Sequence, residues 1–357
     1  MILAIRCAPL ALLLLTFALP ASAQRRDDRP SLRFSGSEIT LGGRVQTQLN
    51  TTSIDTEPTS QLVIRRARLE LAIRVNERIS GTINPDFAGD EVSLKDAYLN
   101  VAFDGGLQFR FGNMYRPFGL LEQTSSKRMP PIERGLRIRG VAAADEYAFL
   151  STLDYSNRDI GVQMHGTPDD APLGFAYALG VFRGPLHGGV GNQDSYQATG
   201  RVTLAPVRAL RLGAGWSSRD FAQIAGATTS LRRGNAFEVD LEYGAFAPGL
   251  HLIAELSHAD LDPFTDRTMR GGQAWLAYRT MEKAGPITAW EPIFRLSHAE
   301  TSSEGAGISA PGGTLLTPGL NIYFDSLNRL MLNYDMWNGE GDSVDANSFK
   351  AMFQFAF

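Results

Sequence analysis

The sequence predicts an all-β chain closed into a transmembrane antiparallel β-barrel of about 16 strands. Three observations predict it. Apolar and polar residues alternate with period two along most of the 357 residues, as in strands with one apolar and one polar face. Beyond residue 23 no stretch is apolar enough for a membrane-crossing helix, and few windows keep helical periodicity over three turns. The links between alternating segments are by turns tight and long, which distinguishes the two ends of a membrane barrel.

Residues 1–23 read as a secretory signal peptide. Arg6 precedes the apolar run from Ala8 to Leu19, followed by Pro20 and the small triplet Ala21-Ser22-Ala23. An uncleaved anchor would need about 18 to 20 apolar residues, more than this run supplies. Cleavage after Ala23 removes Cys7, the chain's single cysteine. A short N-terminal segment, 24–37, leads into a barrel over 38–357.

The first strand is expected near 38–50, where Ile39, Leu41, Val45 and Leu49 alternate with Thr40, Arg44, Gln46 and Gln48. The second spans about 61–75, with Val63, Ala67, Leu69, Leu71, Ile73 and Val75 against Arg66, Arg68, Glu70 and Arg74. Arg65 breaks that parity, and either a rim position or a β-bulge explains it. Strands follow near 79–88, 92–103 and 107–113, the last alternating Leu107, Phe109 and Phe111 with Gln108 and Arg110. Then come 158–166, 173–183, 195–204 and 208–219. In 235–246, Phe237, Val239, Leu241 and Tyr243 oppose Glu238, Asp240 and Glu242. The rest are expected near 250–259, 271–281, 288–298, 315–325, 329–337 and 347–357, the last placing Phe349, Ala351, Phe353, Phe355 and Phe357 opposite Lys350 and Gln354.

Every second link is turn-like: Asn76-Glu77, Asp104-Gly105-Gly106, Ala205-Pro206-Val207, Ala247-Pro248-Gly249 and Ser326-Leu327-Asn328. The intervening links are mostly longer and polar: 51–60, 114–157, 184–194, 220–234, 260–270, 299–314 and 338–346. Short strands alone would also suit sandwiches or a propeller. The polar face decides against them, because it is dense in arginine, and an arginine facing lipid costs about 2–4 kcal/mol at the midplane. Arg44, Arg66, Arg68, Arg74, Arg110, Arg201 and Arg211 are therefore assigned to a watery lumen, with Glu70, Glu238, Asp240, Glu242, Glu255, Glu291 and Asp335 at the same parity.

Composition excludes other classes. With 43% hydrophobic and 20% charged residues the chain is not disordered, and one cysteine makes no disulfide scaffold. A formal net charge of -4 offers no electrostatic case for nucleic acid.

Together these segments resemble the phosphate-selective porin O and P family of Gram-negative outer membranes. The resemblance is carried by Val63-Ile64-Arg65-Arg66-Ala67-Arg68-Leu69, Leu94-Lys95-Asp96-Ala97-Tyr98-Leu99 and Gly112 followed by Pro117-Phe118-Gly119-Leu120. It continues through Ile132-Glu133-Arg134, Arg158-Asp159-Ile160-Gly161-Val162-Gln163, Gly200-Arg201-Val202, Gly319-Leu320-Asn321 and Phe353-Gln354-Phe355-Ala356-Phe357, in shared order over about 300 residues. The resemblance implies a homotrimer of 16-stranded barrels in the cell outer membrane, each a passive channel narrowed by an inward-folded third loop. Here that loop is about 114–157, with Arg116, Lys127, Arg128, Arg134, Arg137 and Arg139 against Glu122, Glu133, Asp145 and Glu146. It reads as a basic constriction for small anions such as phosphate, or as a solvated loop of mixed charge.

The family's constriction arginine pair falls at Arg65 and Arg66 and its aspartate at Asp96, while the lysine position carries Tyr115 beside Arg116. Arg68, Arg110, Lys127 and Arg134 complete the expected substrate-binding set. Tyrosine donates one hydrogen bond but carries no positive charge, which puts phosphate specificity in question. Arginine suits an oxyanion because its planar fork meets two oxygens at once. Arginines outnumber lysines 30 to 4, a bias GC-rich codons would also produce. A general porin with weak or no anion preference is the alternative, and a barrel with a surface-structural or enzymatic role a further one.

No catalytic motif, cofactor or metal is expected; His258 with Asp260 and Asp262 reads as polar surface rather than a metal site. Trp216 and Trp290 have the outward parity of an aromatic girdle, whereas Trp275 and Trp337 do not. The terminal face of Phe353, Phe355 and Phe357 resembles the signal read by the barrel-assembly machinery. Outer-membrane lipid is the remaining partner expected.

Overall fold

The computed structural model describes residues 31–34, 36–54, 57–134, 153–184, 196–225, 228–244, 248–302, 312–339 and 346–357. The signal segment, residues 24–30, and Arg137, Arg139, Asp145 and Glu146 lie outside the described residues.

The strands are β1 (Ser31–Phe34), β2 (Ser37–Ile54), β3 (Glu57–Arg74), β4 (Ile79–Asp86), β5 (Ser93–Ala102), β6 (Leu107–Tyr115), β7 (Arg158–Gly166), β8 (Ala176–Phe182) and β9 (Gln197–Val207). They continue as β10 (Leu210–Ala225), β11 (Thr228–Tyr243), β12 (Gly249–Asp262), β13 (Arg267–Arg279), β14 (Ala289–Ser302), β15 (Gly313–Tyr323), β16 (Arg329–Gly339) and β17 (Ala346–Ala356). From β2 onward each pairs antiparallel with the next, and β17 closes on β2 from Ala346↔Ile54 to Ala356↔Arg44, giving a 16-strand ring. The terminal residue seals the seam: Phe357 and Gly43 exchange backbone hydrogen bonds of 3.1 and 3.2 Å. β1 folds back on β2 from Ser31↔Thr40 to Phe34↔Ser37, occupying the stretch of β2 that β17 does not reach.

The parity holds. On β17 Ser348, Lys350, Met352 and Gln354 face inward and are buried, while Phe349, Phe353 and Phe355 face outward and are 41%, 49% and 50% exposed. On β14 Glu291, Arg295 and Ser297 are buried inside, with Phe294 and Leu296 outside. Each assignment keeps charge off the lipid face and apolar area out of the water.

Two differences from the expected segmentation share one cause. Residues expected as loops at 51–60 and 220–234 are largely ladder, as β2 pairs β3 out to Ile54↔Glu57 and β10 pairs β11 out to Ala225↔Thr228. Beyond the lipid boundary neither strand face needs to be apolar, so the alternation stops while backbone hydrogen bonding continues. At β8 the strand starts later than expected, because Pro172–Gly174 makes a single 3₁₀ turn ahead of it. The wall is consequently uneven: β4 to β8 run 7 to 10 residues, whereas β10 to β14 run 13 to 16.

Arg65 sits in a β-bulge. Gln46 pairs with Arg66 and Thr47 with Ile64, leaving Arg65 as the extra residue. A bulge lets two successive side chains escape the strict alternation of the pleat. Arg65 and Arg66 both reach Glu133 or its neighbours within the barrel.

Candidate functional site

The link from β6 to β7 turns into the lumen and lies along the inner wall of β11 to β17. Gly119 makes the turn at φ 75°, a left-handed conformation favouring glycine, and leads into a short helix, α1 (Leu120–Gln123). The wall offers the loop an apolar bed at positions that would otherwise be polar. Phe118 and Tyr155 pack on Ala236 and Ala259; Leu120, Leu121 and Met129 on Ile253 and Trp275; Ile132 on Met331 and Met352. Trp275 thus faces inward under the loop, as its parity required, and Trp337 is also buried.

Polar pins complete the attachment. The Gly119 N–H donates to Glu238 Oε1 (3.3 Å) and the Leu121 N–H to Glu255 Oε2 (3.0 Å). The Ile132 N–H donates to Asn333 Oδ1 (2.7 Å) and Asn321 Nδ2 to the Pro130 carbonyl (2.9 Å). Arg329 donates to the Met129 carbonyl (2.7 Å), and Arg295 to the Glu133 carbonyl (2.7 Å). These partners satisfy loop amides and carbonyls that the lumen wall would otherwise bury unpaired.

Arg116 belongs to this attachment. It is 2% exposed, its backbone N–H donates to the Asn157 carbonyl (3.0 Å), and its guanidinium pairs with Asp154 (2.8 Å) and hydrogen-bonds Gln197. It ties the two ends of the loop to β9 rather than presenting its charge to the lumen.

The opposite side of the loop meets β2 to β7, and here most of the expected residues converge. Arg44 and Lys127 share Glu70, Arg44 at 3.1 Å. Arg65 pairs with Glu133 (3.6 Å), and Arg66 donates to Gln46 Oε1 (2.8 Å). Arg68 is held by Asp86 (2.6 Å). Arg134 donates to Tyr115 Oη (3.1 Å) and to the Thr124 carbonyl. Asp96 grips Arg158 through both oxygens (2.8 and 2.9 Å), and that guanidinium lies over the Tyr115 ring at 3.7 Å from its centroid. Seven cations (Arg44, Arg65, Arg66, Arg68, Lys127, Arg134, Arg158) thus stand against four carboxylates (Glu70, Asp86, Asp96, Glu133) in this group.

Glu133 on the loop is buried. Burial opposes its ionisation, but Arg65, Lys350 and Arg66 overcome this and hold its carboxyl at about 2, well below the ordinary 4.5. The carboxylates behind the loop have other duties. Glu238 and Asp240 both engage Arg201, Asp240 at 2.6 Å, while Glu238 and Glu255 take the loop amides described above.

Arg110 stands apart, stacked 4.4 Å over Tyr98, in a recess of about 320 Å³ shared with Arg74 near the tight-turn end. A second recess of about 470 Å³ lies beside the loop between Leu120, Arg128, Arg201 and Arg211. Asp260 accepts the Asn235 N–H (2.8 Å) and Asp262 closes the turn through Phe264 (2.9 Å), so these two carboxylates serve the backbone.

Sequence reasoning missed Arg158 as a site residue. Its signal was its position: it begins β7 and pairs with Tyr115 in register, one strand removed from Asp96.

The profile of the family "phosphate-selective porin O and P" matches residues 39–245. No curated protein matches the sequence. Among solved structures, the outer membrane channel DcaP of Acinetobacter baumannii is similar with TM-score 0.64 and 13% identity, covering 91% of this chain and 99% of that one. An anion-selective porin from Comamonas acidovorans has TM-score 0.63 and 14% identity, over 90% of this chain and 100% of that one. OmpT of Vibrio cholerae, solved in a trimer form, has TM-score 0.56 and 16% identity over 90% and 100%. At these identities the likeness is one of fold.

Proposed function

Because this chain belongs to the phosphate-selective porin O and P family, an outer-membrane channel rather than an enzyme, we propose that it passes small anions, phosphate among them, by passive diffusion. The observation carrying this reading is the separation of charge across the third loop. The group formed by β2 to β7 and the facing side of the loop holds three more cations than carboxylates, while Glu238 and Glu255 are buried behind the loop holding its amides. A unit charge about 8 Å from a permeating ion in water contributes roughly 0.5 kcal/mol. Three uncompensated charges give about 1.5 kcal/mol, or roughly tenfold preference for the anion before salt screening.

Tyr115 replaces a lysine charge with a scaffold. Its ring carries Arg158 and its hydroxyl takes Arg134, so two guanidinium charges stand where the resemblance places one ammonium. Both forks are engaged within the protein, Arg158 by Asp96 and Arg134 by Tyr115 and the Thr124 carbonyl, so they act on a passing oxyanion through their charge. Titrating phosphate against a chloride current in a planar bilayer tests it. A saturable fall in current supports phosphate binding at the constriction; an unchanged current reduces the protein to a general anion porin.

The low wall of β4 to β8, with Leu99, Ile160, Val162, Leu179 and Val181 outward, is proposed as the contact face of a homotrimer. The signal peptide is proposed to be removed after Ala23, and the outward Phe353, Phe355 and Phe357 to present the C-terminal strand to the assembly machinery.

A further inference from the structure

The tall wall carries a feature unrelated to the lumen. On the outer surface of β11 to β14 a groove of about 770 Å³, within the ~300–1,000 Å³ range of ligand pockets, has a floor of small residues: Ala254, Gly272 and Ala274. Phe237 and Val239 border it on β11, Leu256 on β12 and Leu296 on β14. Gly272 is needed for its depth, since a Cβ there would come within 2.5 Å of the Leu256 side chain.

At its loop end the groove turns polar. Arg270 faces outward between His258 and Glu300, its ladder partners, and His298 stands one row below beside Gly272. Arg270 is exposed and makes no ion pair among the described residues, not even with Glu300. His298 contacts Thr314 at 3.0 Å through Nδ1, and Nδ1 of His258 has no partner among the described residues.

The height of this cluster identifies its surroundings. Trp290, outward near the tight turns, and Glu300 lie ten residues apart on β14. At about 3.3 Å per residue and a tilt near 45°, that is roughly 23 Å along the membrane normal, close to the ~25 Å apolar band of such barrels. Arg270 therefore stands at the lipid headgroup level of the loop side, where an arginine largely escapes the midplane penalty. An apolar groove ending beneath an unpaired cation at headgroup height is complementary to an acyl chain joined to an anionic head.

We propose that the groove over β11 to β14 is a lipid site, seating an acyl chain of a phosphate-bearing outer-leaflet lipid whose phosphate is held by Arg270. The site lies away from the low wall of β4 to β8 and is independent of which solute the lumen carries.

The test is native mass spectrometry of the full-length mature protein purified in detergent and titrated with lipid A or with its dephosphorylated form. The site predicts retention of lipid A at least about tenfold stronger than of the dephosphorylated form. Arg270→Gln should abolish that discrimination and Arg270→Lys should restore most of it. Ala274→Trp, which fills the floor, should remove retention of both lipids, while Tyr334→Trp, outward on β16, should not. Heat-modifiable mobility and unchanged channel conductance verify that each variant folds. Equal retention of the two lipids, or retention unaffected by Arg270→Gln and Ala274→Trp, overturns the proposal. So does a change of oligomeric state in Ala274→Trp with lipid retention intact, which would make the groove a subunit contact.

Discussion

Arg158 lies over Tyr115, its guanidinium carbon 3.7 Å from the ring centroid, while its Nε and Nη2 both donate to Asp96. The phenol oxygen on the same ring accepts from Arg134 (3.1 Å). One tyrosine thereby fixes a guanidinium from β7 and another from the third loop.

Replacing Tyr115 separates these roles. Tyr115→Phe keeps the stacked face and loses only the acceptor for Arg134, so anion preference should fall by less than about twofold. Tyr115→Ala also removes the stack, worth about 0.5–2 kcal/mol, and should lower the preference several-fold. Bilayer reversal potentials of the two variants under one salt gradient distinguish these outcomes.

Arg66→Glu reverses a charge beside Arg65, Arg68 and Arg134. At about 8 Å from a permeating anion, a change of two charge units costs about 1 kcal/mol, roughly fivefold in anion permeability at low salt. The effect should shrink as salt rises, which measurement at two ionic strengths checks.

Trp275→Ala should loosen the third loop, because it empties the bed beneath Leu121 and Met129. Deletions of this size in well-packed sites cost about 3–5 kcal/mol. The expected result is a lower melting temperature together with larger open-channel current fluctuations, both absent in an outward substitution such as Phe294→Ala.

The pH dependence of the loop follows from Glu133. Its folded carboxyl lies at about 2, below its ordinary 4.5, so its stabilising contribution is complete above the ordinary value and is lost as pH falls toward the folded one. Channel noise should match at about pH 7 and pH 5 and rise near pH 3. Glu133→Gln should show the noisy behaviour already at neutral pH.

Much of the fold was legible because lipid and lumen impose opposite demands on successive residues. The 39–49 and 347–357 alternations could be satisfied in only one way, and β2 and β17 follow them. The ends of β2, β3, β10 and β11 were not legible, since outside the lipid the backbone ladder continues without an apolar signature. Arg65 could not be placed by parity alone; the bulge depends on the β2–β3 register. The third loop left a readable trace in the lumen-parity apolar residues Ile253, Trp275, Met331 and Met352, which its own side chains cover. Arg116 could not be oriented from its neighbour: Tyr115 carries Arg158 and Arg134, whereas Arg116 is turned toward Asp154 and Gln197. Arg158 became recognisable only once β6 and β7 were set in register.

The most direct test of the anion channel is the reversal potential of the purified protein in a planar bilayer under a KCl gradient. The charge arrangement around the third loop predicts a potential of the sign given by chloride exceeding potassium permeability, weakened in Arg66→Glu. A potential of the opposite sign, indicating potassium preference, would contradict it.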